Sequence, residues 1–110
     1  MLSERQRLAA RDIIEHCEFA HSLLREAKGD LAGDRRSLYA IVRCLEIISE
    51  ASRRLLDELK SRHSAIPWRA VAAAGDIYRR GYDIVDAQTI VATVEDHLPM
   101  LAATLREELA

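Results

Sequence analysis

Apolar side chains recur every three or four residues along most of this 110-residue chain. That spacing places them on one face of an α-helix. One stripe runs from Ile13 to Ala27, a longer one from Leu38 to Leu59, and a third from Ile90 to Leu109. No strand-like alternation survives a count along the sequence. The pattern therefore predicts an all-α protein.

Residues that start and stop helices mark the first two helical segments. Ser3 is suited to cap the first helix, and Lys28-Gly29 is suited to end it. Either Asp34 or Ser37 can cap the second helix. We expect that helix to continue through the end of its apolar stripe to a basic terminus, where positive charge complements the helix dipole: Lys60, Arg62 and His63.

Proline and glycine shape the prediction for the second half. Pro67 suits the first turn of a third helix that begins near Trp68. Gly75 weakens the continuation of this helix, so residues 75–86 are predicted to be a helix end followed by a loop. Asp86 can cap the fourth helix. Pro99 should kink or split that helix because it removes a backbone hydrogen bond.

Four amphipathic helices with short connections fit an antiparallel up-and-down bundle with a kinked or split last helix. The length fits one domain over residues 1–110. Apolar residues on helix flanks, such as Phe19 and Ile47, favour a dimer.

Composition and charge narrow the function classes. The net charge of −2 and the pI near 6.1 give no overall basic field, so bulk charge does not predict non-specific duplex binding. Cys17 and Cys44 lack a CxxC spacing and are predicted to be reduced core thiols of a cytoplasmic protein. No apolar run suits a membrane span or a signal peptide. The common nucleotide and metal motifs are missing, so we expect no cofactor and no metal.

One fifteen-residue stretch concentrates chemically useful side chains: Trp68, Arg69, Tyr78, Arg79, Arg80 and Tyr82. Guanidinium groups bind phosphates and aromatic rings stack on bases, a combination typical of single-stranded RNA binding. Adjacent arginines can also stabilise charge that develops on phosphorus during RNA cleavage. The alternative is a helix end with solvated arginines and half-buried rings.

Three short segments carry a resemblance to a known family. Residues 34–51 end in Ser49-Glu50-Ala51, a triplet similar to the family's Gly- or Ser-Glu-Ala. Ile66-Pro67-Trp68-Arg69 matches an IPWR segment, and His97-Leu98-Pro99 matches a late Leu-Pro. In this order and at these separations, they resemble the HepT-type branch of the HEPN superfamily over nearly the whole chain.

The resemblance implies a dimeric four-helix bundle in which the motifs of two protomers face a shared cleft. It further implies a metal-independent endoribonuclease that acts as the toxin of a toxin–antitoxin pair. The antitoxin partner would be a minimal nucleotidyltransferase, which can transfer AMP to a tyrosine just after the motif histidine.

The motif itself departs from the family pattern. A sub-branch carries Gly-Asn-x-x-Arg-His-x-Tyr, and Gly75, Arg79 and Tyr82 match it. Asp76 stands in place of the asparagine, and Arg80 in place of the histidine. Metal-free RNA cleavage needs a group that exchanges a proton near neutral pH, as histidine does. Arginine stays protonated, so we expect RNA binding with cleavage lost or strongly reduced.

The resemblance thus implies a set of site residues. Asp76, Arg79 and Arg80 occupy the catalytic positions, and Tyr82 occupies the AMP-acceptor position. Glu50 could orient an arginine across the cleft, and Tyr78 is a neighbouring supporting candidate.

Two other hypotheses stay open. In one, the chain is a non-catalytic helical binding module that partners a minimal nucleotidyltransferase and accepts AMP on Tyr82. In the other, it is a helical interaction protein whose arginines and tyrosines line a dimer interface.

Overall fold

The structure, a computed structural model, describes residues 2–81, 83 and 85–110. These residues form α-helices and one π-helical turn, with no strand among them. The elements are α1 (Glu4–Glu26), α2 (Arg35–Ser52), α3 (Asp57–Arg62), α4 (Trp68–Arg80), α5 (Ala87–Ala92), the π-helical turn (Thr93–His97) and α6 (Leu98–Leu109). The predicted all-α bundle is confirmed.

Side-chain caps fix the starts of three helices where the sequence predicted them. The hydroxyl of Ser3 accepts a hydrogen bond from the first turn of α1 at 3.2 Å. Asp34 caps α2, since its carboxylate accepts from the backbone N–H and the hydroxyl of Ser37, at 3.0 and 2.8 Å. Asp86 caps α5. Beyond α1, Lys28-Gly29 ends the helical path with φ angles of 55° and 77°, the left-handed conformation of a helix terminus.

The second helix is shorter than predicted. The sequence indicated one helix through Leu59, but α2 ends at Ser52 and α3 is separate. Tertiary structure causes the break, because the buried side-chain carbonyl of Gln6 on α1 accepts the N–H of Leu56 at 3.1 Å. The intervening turn still leaves Leu55 and Leu59 buried.

The predicted helix end in residues 75–86 agrees with the structure. Helix α4 runs through Gly75 and ends at Arg80, so Asp76 and Arg79 lie in the last turns of this helix. The penalty of a mid-helix glycine is overridden by the packing of Gly75 against α2, described below.

The last helix is split, as Pro99 predicted. Helix α5 passes into the π-helical turn, where the N–H of Leu98 donates to the carbonyl of Thr93 five residues back. Pro99 then lies in the first turn of α6, where its missing N–H leaves no helical hydrogen bond unmade.

One apolar core joins the helices. Helix α1 packs against α2 and α6, and α2 also packs against α4. The largest fully buried apolar side chains come from six elements and the loop after α1: Ile13, Leu31, Ile41, Leu59, Ile90, Val94 and Leu105. Cys17 and Cys44 are free and buried. Burial raises the pKa of Cys17 to about 12 and also raises that of Cys44, so both thiols stay protonated and inert.

Among the described residues, no helix is both long enough and apolar enough to cross a membrane.

A charged clasp ties the start of α4 to the end of α6. Glu108 accepts hydrogen bonds from Arg62 at 2.8 Å and pairs with Nε2 of His63 at 2.6 Å. The indole N–H of Trp68 donates to the backbone carbonyls of Lys60 and His63, at 3.1 and 3.0 Å. The α3 segment therefore anchors the first residue of α4 to the far end of the chain.

The clasp should make stability depend on pH. Hydrogen bonds from Arg62 and His63 lower the pKa of Glu108 from 4.5 to about 2. A carboxylate with a depressed folded-state pKa stabilises the protein above its ordinary pKa, and this contribution is lost as pH falls toward 2. We expect Glu108→Gln to lower the thermal midpoint by a few degrees at pH 7 and by much less at pH 3, in thermal unfolding followed by circular dichroism.

Glu107→Gln is the matched control, because Glu107 is exposed and pairs with no described cation. If Glu108→Gln lowers the thermal midpoint equally at pH 7 and pH 3, the clasp does not have the role given to it here.

Candidate functional site

Helices α2 and α4 approach closely at one point. The hydroxyl of Ser49 donates to the carbonyl of Ala72 at 2.9 Å and accepts from the N–H of Gly75 at 3.0 Å. A Cβ at Gly75 would lie 2.9 Å from this hydroxyl oxygen and 3.1 Å from the Ser49 Cβ. Glycine is therefore required here by the close approach of α2, and this contact fixes the distance between the two helices.

Arg53, which follows α2, crosses the same gap. Its Nε and Nη2 donate to the carbonyl of Ala72 at 3.1 and 2.7 Å, and Nη2 also donates to Oδ2 of Asp76 at 3.2 Å. No sequence motif singles out Arg53. The available signal was its position four residues after Ser49, which places both side chains on one helical face.

Asp76 lies between two guanidinium groups. Arg53 bonds to Oδ2 and Arg79 bonds to Oδ1, so each carboxylate oxygen has its own cationic donor. The Arg53 hydrogen bond, with the nearby charges of Arg53, Arg79 and Arg80, holds the pKa of Asp76 below its usual range. Asp76 is consequently an ionised acceptor of hydrogen bonds near neutral pH.

The arginine pair forms the exposed C-terminal end of α4. Arg79 is engaged by Asp76, whereas Arg80 is exposed and makes no ion pair with any described residue. The side chains of Arg53, Asp76 and Arg79 keep 45%, 38% and 55% of their surfaces exposed. Arg53, Asp76, Arg79 and Arg80 are called the arginine cluster. A ligand in solution can reach every charged group of this cluster.

Tyr78 points away from this exposed surface. It is partly buried and packs against the core, and burial raises the pKa of its hydroxyl despite a hydrogen bond with Thr93. Tyr82 lies outside the described residues. Glu50 is exposed on α2 and makes no ion pair with a described residue.

The basic and aromatic residues singled out in the sequence do not form a single patch. Trp68 begins α4 and Arg80 ends it, which separates them by about 18 Å along the axis. The indole of Trp68 is bound to the α3 segment. Its role here is to anchor α4, while the arginine cluster lies at the other end.

The protein is therefore a small helical bundle with an exposed arginine cluster near the end of α4. The chain belongs to the HepT-like ribonuclease family, since the family model described as "Ribonuclease HepT-like" matches residues 13–108.

Curated relatives agree with this membership. The chain is 35% identical over 91 residues to a protein of Thermococcus cleftensis that is named "Probable ribonuclease HepT". This match covers 82% of this chain and 83% of that protein. It is 34% identical over 101 residues to a protein of Caldanaerobacter subterraneus subsp. tengcongensis whose name marks it provisionally as an RNase, covering 88% of each chain. No solved structure gives a significant match.

The contact between Ser49 and Gly75 makes a prediction with a definite sign. In an unconstrained helix, Gly→Ala stabilises by about 1 kcal/mol. We expect Gly75→Ala to destabilise this protein by about 1–3 kcal/mol, because the added Cβ overpacks the contact between α2 and α4. Chemical denaturation at equilibrium measures the difference.

The double variant Ser49→Gly, Gly75→Ala supplies the control, since it removes the atoms that the new Cβ meets. Gly75→Ala should cost less in the Ser49→Gly background than alone. Stabilisation by Gly75→Ala alone would show that the two helices are not in close contact.

Proposed function

We propose that this chain is an RNA-binding member of the HepT-like ribonuclease family whose cleavage activity is weak or lost. The observation that carries the proposal is the exposed Arg79–Arg80 pair at the end of α4, in the segment that resembles the family motif. Two cationic side chains on a solvent-exposed helix end suit the phosphates of a flexible strand.

The chemistry of the motif supports weak cleavage. General acid–base catalysis requires a side chain that gains and loses a proton near neutral pH. An arginine side chain is a poor general base because its guanidinium does not give up a proton in proteins, and ionised Asp76, with its lowered pKa, is a poor proton donor and a weak base. Tyr78 is held protonated by burial. Residues 75–82 contain no histidine, so this segment can bind a phosphate and stabilise charge, but cannot readily move a proton.

We infer the oligomeric state and the biological role of the protein from the same family resemblance. Ile77 and Tyr39 are 59% and 64% exposed on α4 and α2, the two helices that carry the arginine cluster. Exposed apolar side chains on these two helices favour a homodimer in which two copies share one RNA cleft. The protein would act as the toxin side of a toxin–antitoxin pair in the cytoplasm.

Restoring a histidine tests the enzymatic lineage directly. We expect Arg80→His to raise cleavage of single-stranded RNA by about 10²–10⁴-fold, the usual contribution of a general acid or base. Gel analysis of a labelled RNA, with growth of the expressing cells as a second readout, measures the change.

Arg5→His is the matched control, because Arg5 is an exposed arginine on α1 that makes no ion pair with any described residue and lies outside the motif. It should leave cleavage unchanged. If Arg80→His neither cuts RNA nor slows growth, the proposed lineage of the activity is wrong for this protein.

A second candidate function is that of a non-catalytic partner of a minimal nucleotidyltransferase, with AMP transferred to Tyr82. The burial of Tyr78 favours this choice of acceptor, since a half-buried hydroxyl next to Thr93 is poorly accessible to a modifying enzyme. No other tyrosine occurs in residues 68–82.

Intact-mass measurement after co-expression with such an enzyme tests the acceptor. We expect the mass of one AMP group on the native chain and on Tyr78→Phe, and no adduct on Tyr82→Phe. An unmodified native chain, or an adduct that survives Tyr82→Phe, would exclude this assignment.

A further inference from the structure

Arg53 and Arg79 approach one carboxylate from two different helical segments. Arg53, from the end of α2, donates to Oδ2 of Asp76, and Arg79, one turn along α4, donates to Oδ1. Two guanidinium groups around a small oxyanion form an arrangement that suits phosphate as well as carboxylate, because both anions offer oxygens at similar spacing.

We propose that Arg53 and Arg79 form a binding site for one phosphate of an RNA backbone, and that the Asp76 carboxylate occupies this site in the free protein as an internal competitor. The inference rests on the proposed RNA-binding function. It adds Arg53 to the site and gives Asp76 an inhibitory role.

Arg53 is held in position independently of Asp76. Two of its nitrogens, Nε and Nη2, donate to the carbonyl of Ala72, at 3.1 and 2.7 Å, and the longer bond of 3.2 Å goes to Asp76. Its Nη1 makes no hydrogen bond with any described residue. Removing the carboxylate should therefore leave the guanidinium in place, with donors available for another anion.

Ala72 is itself held in place by the contact between α2 and α4. The carbonyl that receives Arg53 also accepts from the hydroxyl of Ser49 at 2.9 Å. The position of Arg53 relative to α4 is thus set by packing between α2 and α4. A preformed site of this kind loses little side-chain freedom when a phosphate binds.

Asp76 can be displaced because the ion pairs are open to water. Its side chain is 38% exposed, and those of Arg53 and Arg79 are 45% and 55% exposed. Exposed ion pairs contribute little free energy, so an incoming phosphodiester can compete with the carboxylate. While Asp76 remains bound, one fewer phosphate of the strand is neutralised, which lowers both the affinity and its dependence on salt.

Binding of a fluorescein-labelled oligouridine, measured by anisotropy over a range of KCl concentrations, tests the inference. We expect Asp76→Asn to raise the affinity roughly three- to tenfold at low salt. The plot of log K against log salt should steepen by about 0.7, the value for one additional phosphate contact with a single strand.

Asp96→Asn controls for the change in net charge. Asp96 is exposed and makes no ion pair with a described residue, so the same substitution there should change affinity little. Adding Arg53→Lys to Asp76→Asn should reverse most of the gain, because lysine keeps the charge but loses the two-pronged donor geometry. Thermal unfolding confirms that each variant is folded before binding is compared.

The possible outcomes separate this inference from the proposed function. If the native protein binds RNA and Asp76→Asn behaves like Asp96→Asn or binds more weakly, the competitor role is wrong and the proposed function stands. If only Asp76→Asn binds RNA, the competitor role is supported and RNA binding by the native chain is wrong. If neither binds, both ideas fail.

Titration with inorganic phosphate alone identifies the source of the ligand. The Asp76→Asn variant could bind the free ion without gaining affinity for oligouridine. That result would overturn the assignment of the site to an RNA backbone. A gain for oligouridine that competes with millimolar phosphate supports it.

Discussion

The close contact between α2 and α4 is the constraint on which the rest of the site depends. Gly75 allows the backbone of α4 to meet the Ser49 hydroxyl, which bonds to both a carbonyl and an N–H of that helix. A buried hydroxyl with donor and acceptor both satisfied fixes rotation and distance more strictly than apolar packing does. The side chain of Arg53 reaches α4 because this distance is short.

The arginine cluster carries a net positive charge, because three arginines lie around one carboxylate. Asp76 is ionised and shared by Arg53 and Arg79, so it compensates one of these two positive charges. Arg80 stays uncompensated by any described acidic group. This local positive charge is compatible with the net charge of −2, because the chain relies on a local arrangement of cations in place of an overall basic field.

Local features were predictable from the sequence, and features set by contacts between helices were not. Ser3, Asp34 and Asp86 act as caps through bonds within a few residues, so their roles can be read from neighbouring positions. The end of α2 depends on Gln6 from α1, and the continuity of α4 depends on Ser49 from α2. Arg53 was missed for the same reason, because its partners lie 19 and 23 residues away along the chain.

The joint between α2 and α4 also divides the arginines into two kinds. Arg53 depends on the joint, because its anchor is the carbonyl of Ala72 that Ser49 also binds. Arg80 has no such anchor among the described residues and extends from the last turn of α4 into solvent. A substitution at Ser49 would therefore displace Arg53 relative to Arg79 without contacting either side chain, and would leave Arg80 as it is. Packing in the bundle sets the spacing of the paired cations, while the position of Arg80 is fixed by its place on α4 alone.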